Sequence, residues 1–275
     1  MTAPTARART RVPSRPPGGV GWGPVFEYWW TQYRRTWISS VVSRFLMPVL
    51  FLVSMGMVVG GLVDRAAGGV DGMPYLRFVV PGILAAQAMW TAVGESTYSV
   101  LGALRWTRQY HAMLATPLGV LDVLIGHLAY VALSIAFGTV VFVAVAALFG
   151  AWASWWVLLA VPVVVLTGLA FAVPCFAYTA QYAESAESGF SLIFRLVVTP
   201  LFLVSGTFFP VEQLPAPLRA VAWVTPLWHG VSATRSLAAG TPEWGAVAGH
   251  LAFLLLVVGA SGWWAWRAFR RRLVV

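Results

Sequence analysis

RWTRQYHAMLATPLGVLD, residues 105–122, is the only long polar interruption in the first half of a very apolar chain. Apolar runs flank it, residues 78–101 before and 123–149 after. Each is long enough to cross a hydrocarbon core of ~30 Å as a helix. The polar stretch is therefore read as a connection between two membrane spans. Within it Trp106, Tyr110, Met113 and Leu114 recur at helical spacing, with Arg105, Arg108 and Gln109 elsewhere around the turn. Thr116-Pro117 stops the pattern, because a proline ring disfavours helix at the preceding residue. The expectation is a short surface helix over 105–115 that takes a push from a soluble partner and passes it to both spans. A solvated loop with a few interfacial aromatics fits the same periodicity.

Composition points the same way. Of 275 residues, 59% are hydrophobic and only 10% charged, against roughly a quarter charged in soluble domains. The fold class read from this is an all-α polytopic membrane protein. Six spans are expected, over residues 41–63, 78–101, 123–149, 155–178, 190–209 and 246–266. Pro48, Pro162, Pro174 and Pro200 fall within them as kinks. Residues 1–21, rich in Arg, Pro and Gly, read as a disordered tail. Residues 22–40 read as an interfacial amphipathic helix: Trp22, Phe26, Trp29, Trp30, Tyr33 and Trp37 form one stripe, opposed by Arg34 and Arg35. Residues 41–272 form the transmembrane domain. The first apolar run begins too far from the N-terminus, and is too long, for a signal peptide.

The net charge of +9 comes from arginine, without a single lysine. The arginines sit mainly at span ends, so membrane orientation explains them better than nucleic-acid binding. Arg7, Arg9, Arg11, Arg15, Arg34, Arg35, Arg44, Arg105, Arg108, Arg267, Arg270, Arg271 and Arg272 share one side of a six-span chain. Arg65, Arg77, Arg219 and Arg235 lie on the other. Both termini are thus expected in the cytoplasm, and so is the 105–117 segment. The proline-broken stretch 210–245 is expected to form re-entrant or interfacial helices closing the outer end. No internal repeat supports an inverted-repeat transporter.

Several chemistries lack their residues. A lysine-bearing nucleotide-phosphate loop is excluded, and neither HExxH nor GxSxG occurs. The four histidines are dispersed and Cys175 is alone, so no metal site or catalytic residue is read from the chain. Glu95 is the one acid well inside a span, and Arg195 the one arginine. Their similar depth suggests an ion pair bridging spans two and five. Alternatively, Glu95 faces a hydrated vestibule and Arg195 snorkels. Glu184 and Glu187, in a short loop, either meet a basic partner or are simply solvated.

Three stretches together resemble the ABC-2 type permease family. They are YLRFVVPGILAAQAMW (75–90), AMLATPLGVLDVLIGHL (112–128) and SGTFFPVEQLPAPLRAVAWVTPLWHGV (205–231). Within that family the likeness is greatest to the NodJ-type lipooligosaccharide exporters and the daunorubicin-resistance permeases. The resemblance implies a permease subunit of an ATP-driven exporter in the bacterial inner membrane. It implies two separate ABC ATPase subunits, which bind the ATP and Mg, so that no cofactor is held on this chain. It also implies a second permease, identical or closely related, among membrane lipids. Coupling to the ATPase would fall on Arg105, Arg108, Gln109, His111, Met113, Leu114, Thr116 and Pro117. His111 stands where NodJ-type members usually carry glutamate. The outer segment would be built around Ser205, Gly206, Phe209, Pro210, Leu214, Pro215 and Pro226. The cargo implied is amphiphilic: a drug, a lipid or a lipid-linked saccharide. An ion-gradient-driven transporter, with Glu95 as coupling site, and a non-transporting membrane scaffold are the alternatives.

Overall fold

A computed structural model describes residues 21–274, without the side chains of residues 35–45, 47 and 48. The expected tail, apart from Gly21, lies outside the described residues. So do the side chains of Arg35, Trp37, Arg44 and Pro48.

Six helical runs are long and apolar enough to cross a membrane: Val49–Ala67, Tyr75–Trp106, Val120–Leu148, Trp155–Gln181, Ala186–Val204 and Trp244–Leu273. No strand occurs among the described residues. An α-helix satisfies its own backbone groups, and hydrocarbon offers no others. Spans two and four form the centre, with 72% and 56% of their apolar windows buried; spans one, five and six are only 11–17% buried and line the outside.

The N-terminal part departs from expectation. Helix Gly23–Phe51 runs on through a π-helical turn, Leu52–Val59, into Gly60–Ala67. The expected interfacial helix and first span are thus one unbroken run. No proline or glycine stands between residues 24 and 47 to separate them. Nor does its aromatic stripe only face the headgroup layer. Val25 and Trp29 are buried against span three. A Cβ on Gly126 would lie 2.5 Å from that of Val25, so glycine is what lets the two helices meet.

At the opposite end Gly68, at φ 71°, ends the first run, and its N–H bonds to the Asp64 carbonyl at 3.0 Å. Asp64 also accepts the N–H of Tyr75 at 2.9 Å, tying the start of span two to the end of span one. Span five ends early, at Val204 rather than 209. Its Ile193–Val198 turn is π-helical, just before Pro200 removes a backbone donor. The stretch expected to be re-entrant holds a 3-10 turn, Val211–Gln213, and two α-helices, Ala216–Trp223 and Pro226–Ala239. The second packs against spans two, four and six. It buries Leu227, Val231, Ala233 and Leu237. A Cβ on its Gly230 would lie 2.3 Å from the Thr167 hydroxyl oxygen of span four.

Candidate coupling site

The connection between spans two and three is shorter and more sharply bent than its periodicity suggests. Span two continues to Trp106 through a π-helical turn, Gly102–Trp106. Arg105 therefore ends that span instead of starting a surface helix. Arg108 then takes the left-handed conformation at φ 51°, which breaks the helix. The linker helix proper is Gln109–Leu114, six residues. Thr116 closes it, its hydroxyl donating to the Met113 carbonyl at 2.5 Å. Span three begins with its Asp122 carboxylate accepting the Gly119 N–H at 2.9 Å.

A helix of six residues is far too short to hold itself together in water. Tyr110 anchors this one. Its side chain is fully buried, and its hydroxyl lies 2.5 Å from Nδ1 of His127 in span three. Burial raises the phenol well above its usual pKa, so it remains protonated. The His127 ring stacks on Trp29 of the N-terminal helix, centroids 3.8 Å apart, and meets Phe176 of span four edge-on at 5.0 Å. Tyr110 also touches Phe269 of span six, at 5.6 Å between centroids. One side chain of the linker thus reaches a cluster drawn from the N-terminal helix and spans three, four and six. Beside it the Gln109 side chain bonds to the Tyr28 hydroxyl.

The other expected residues divide by exposure. Arg108, His111, Thr116 and Pro117 are exposed, with Ala112 and Ala115 between them. Met113 and Leu114, expected on the partner's side, are half-buried and pack on the core. Arg105 is exposed but directed inward along the surface. It donates to the carbonyls of Ala183 and Glu184 at 3.2 and 3.3 Å, clamping the loop between spans four and five. Glu184 in turn takes Arg272 of the last helix at 3.1 Å. Both partners are substantially exposed, so this pair contributes only ~0–1 kcal/mol. Glu187 lies in the first turn of helix Ala186–Leu192.

Glu95 is half-buried near the end of helix Tyr75–Ser96. Arg195 is exposed in the π-helical turn of span five, beside Leu196 at 69% exposure. Glu95 has a partner within the structure, but Arg195 is not paired with it among the described residues. Arg195 faces away from the body of the chain, which similar depth along two spans does not reveal.

At the opposite end the outer segment is assembled around Arg235. Its Nη2 donates to the Gly206 carbonyl at 2.6 Å and its Nε to the Phe78 carbonyl at 3.2 Å. Its guanidinium lies 3.9 Å over the Phe78 ring. Desolvation pushes its pKa down to about 10, against the pull of Asp71 and Glu212, so it stays charged at neutral pH. Gly206 needs its φ of 79° and a side chain would strain it. Ser205 is buried, 3.3 Å from the Thr225 hydroxyl. Thr225 caps the helix that Pro226 opens. Pro215 stands before helix Ala216–Trp223, and Arg219 of that helix donates to the carbonyls of Glu212 and Leu214. Pro210 is buried; Phe209 and Leu214 are half-buried. The position of Arg235 in a proline-broken stretch gives no sign of this role in the sequence.

Comparison with known proteins identifies the family. The family described as ABC-2 type transporter matches residues 25–238. Nodulation protein J of Rhizobium leguminosarum bv. viciae is 33% identical over 232 residues, 84% of this chain and 87% of that protein. Nodulation protein J of Rhizobium meliloti (strain 1021) is 33% identical over 233 residues, 84% of this chain and 86% of that protein. The inner membrane transport permease YadH of Escherichia coli (strain K12) is 24% identical over 208 residues, covering 74% of this chain and 77% of its own. No solved structure matches.

Proposed function

Because the chain belongs to the ABC-2 type transporter family and is a transport permease, we propose that it is the membrane subunit of an ATP-driven exporter and that the linker helix Gln109–Leu114 couples it to the ATPase. ATP and Mg belong to two partner ATPase chains. A second permease, identical or related, completes the assembly in a bacterial inner membrane, with both termini and the linker helix in the cytoplasm. The cargo is an amphiphile such as a drug, a lipid or a lipid-linked saccharide.

One observation carries this reading: the linker helix is exposed along His111, Ala112 and Ala115 and anchored into four helices through Tyr110. A partner that presses on the exposed face moves Tyr110. Tyr110 moves against His127 and Phe269, and Arg105 carries the same displacement to the loop before span five. Such a push changes the spans only if the partner binds one arrangement more tightly than the other, which ATP binding on the partner supplies. No bond is made or broken on this chain.

The test is co-purification from membranes in mild detergent, followed by ATPase assay and identification of the accompanying chains. A nucleotide-binding ATPase should accompany the wild type and be lost from the double variant His111→Asp/Ala112→Asp, whose own thermal unfolding stays unchanged. A chain that purifies without an ATPase, and moves cargo only under a proton gradient, would overturn the reading in favour of an ion-driven transporter. ATPase stimulation without cargo movement would leave a scaffold.

A further inference from the structure

The last three turns of span six, with the end of span four, enclose a groove of about 460 Å³ that the coupling role does not use. Trp263, Arg267 and Arg271 lie along one ridge at intervals of four residues. Trp264, Ala268 and Arg272 form the ridge beside it. The small side chains of Ala180 and Ala268 leave the space between the helices. Trp264 Nε1 donates to Gln181 Oε1 at 2.6 Å and fixes one edge.

The charge in this groove is unbalanced. Of its three arginines only Arg272 has an acid among the described residues, Glu184. Arg267 has no counter-ion among the described residues, and its guanidinium lies 3.9 Å over the Trp263 ring. Arg271 forms no ion pair with a described residue. Trp263 itself is 57% exposed. Along the ridge, eight residues of helix rise about 12 Å, enough to cross a headgroup layer of about 5–8 Å. The tryptophans stand on the hydrocarbon side and the arginines on the aqueous side, in the order an anionic amphiphile presents its own parts.

We propose that this groove is a binding site for an anionic phospholipid, its phosphate between Arg267 and Arg271 and its glycerol end on Trp263. An acidic protein surface would satisfy the charge but would leave two tryptophans at membrane depth without purpose. The bound phosphate also stands next to Arg272, whose partner Glu184 lies in the loop that Arg105 clamps. Lipid occupancy therefore biases the same loop as the linker helix. The assignment stands independently of the ATPase reading.

Native mass spectrometry of the detergent-solubilised full chain, titrated with phosphatidylglycerol or phosphatidylcholine, tests it. One phosphatidylglycerol should be retained in clear preference to phosphatidylcholine. The double variant Arg267→Gln/Arg271→Gln should weaken that first adduct by about thirtyfold. Arg65→Gln/Arg77→Gln, at the other end, should leave it unchanged. Equal retention of the two lipids, or a loss as large in the distal variant, overturns the site. Displacement of the lipid by millimolar glycerol phosphate would show an ion site that needs no membrane, and would overturn it as well. Both double variants replace exposed side chains, and unchanged thermal unfolding verifies that they fold.

Discussion

Gly82 and Thr207 come so close that a Cβ at position 82 would lie 2.9 Å from both the Cα and the carbonyl oxygen of Thr207. The proline–glycine pair of span two and the Ser-Gly-Thr turn after span five are thus one contact. It joins the central span to the outer segment, and only glycine permits it. Gly82→Ala should destabilise the protein by about 1–3 kcal/mol through overpacking, read as a fall in thermal unfolding temperature in detergent. Because the clash is with backbone, trimming the neighbour in a Gly82→Ala/Thr207→Gly variant should not restore the loss. Recovery would place the contact on the Thr207 side chain.

Tyr110→Phe removes one hydroxyl and leaves Nδ1 of His127 buried without its partner. The cost should be about 1–3 kcal/mol. His127→Phe alone leaves the hydroxyl stranded. The double variant should cost less than the two single losses combined, because two unsatisfied groups disappear together. A double-mutant cycle on thermal unfolding measures this. In a reconstituted complex Tyr110→Phe should also lower cargo-stimulated ATP hydrolysis while the ATPase remains bound, since the docking face is untouched.

Met113→Asp and His111→Asp should separate folding from docking. Met113 packs on the core, so a carboxylate there should lower the unfolding temperature and the yield of folded protein. His111 is exposed, and its replacement should leave unfolding unchanged while reducing recovery of the ATPase. Size-exclusion profiles and pull-downs on the two variants read both effects.

The end of the protein that carries His229 should respond to acid. His229 has its Nδ1 2.8 Å from that of His250, and its ring stacks on Phe253 at 3.9 Å. Desolvation, then repulsion from His250, keeps its pKa below the usual value, and the Trp223 carbonyl only partly offsets them. The unfolded chain takes up this proton near pH 6.5, the folded chain only at lower pH. The stability that His229 contributes is therefore complete above pH 6.5 and is lost as pH falls through the folded value. Thermal unfolding should be level between pH 7 and 8 and decline below 6.5. In His229→Gln that decline should flatten.

Arg235→Lys keeps the charge and loses the fork. A single ammonium cannot reproduce the paired contacts to Gly206 and Phe78 together with the flat stack on the Phe78 ring. Protease cleavage within residues 205–243 of the folded protein should become faster than in wild type, while an Arg219→Lys variant, whose contacts are local, changes it less.

What could be read before the structure follows from what the solvent enforces. Hydrocarbon demands long apolar helices, so all six spans are visible as runs. Contacts between elements are not visible in this way. His127 shows itself as a polar residue in an apolar run, but nothing local names Tyr110, seventeen positions earlier, as its partner. The left-handed turn at Arg108 carries no glycine or asparagine to signal it, so periodicity alone starts the linker helix at Arg105. The aromatic stripe at Trp22–Tyr33 has the composition of a membrane-surface helix; Gly126, a hundred residues on, directs Trp29 and Val25 into the protein instead.

The linker helix divides its labour residue by residue. Tyr110 and the half-buried Met113 and Leu114 set where it sits, and His111, Ala112 and Ala115 set what it shows. Changes on the second set leave the first intact. On the coupling proposed above, two or three surface substitutions would re-address such a permease to a different ATPase, with its cargo route unaltered. Divergence among transporters that share one membrane should therefore accumulate fastest on that small face, where a mismatch prevents one exporter from drawing on another's motor.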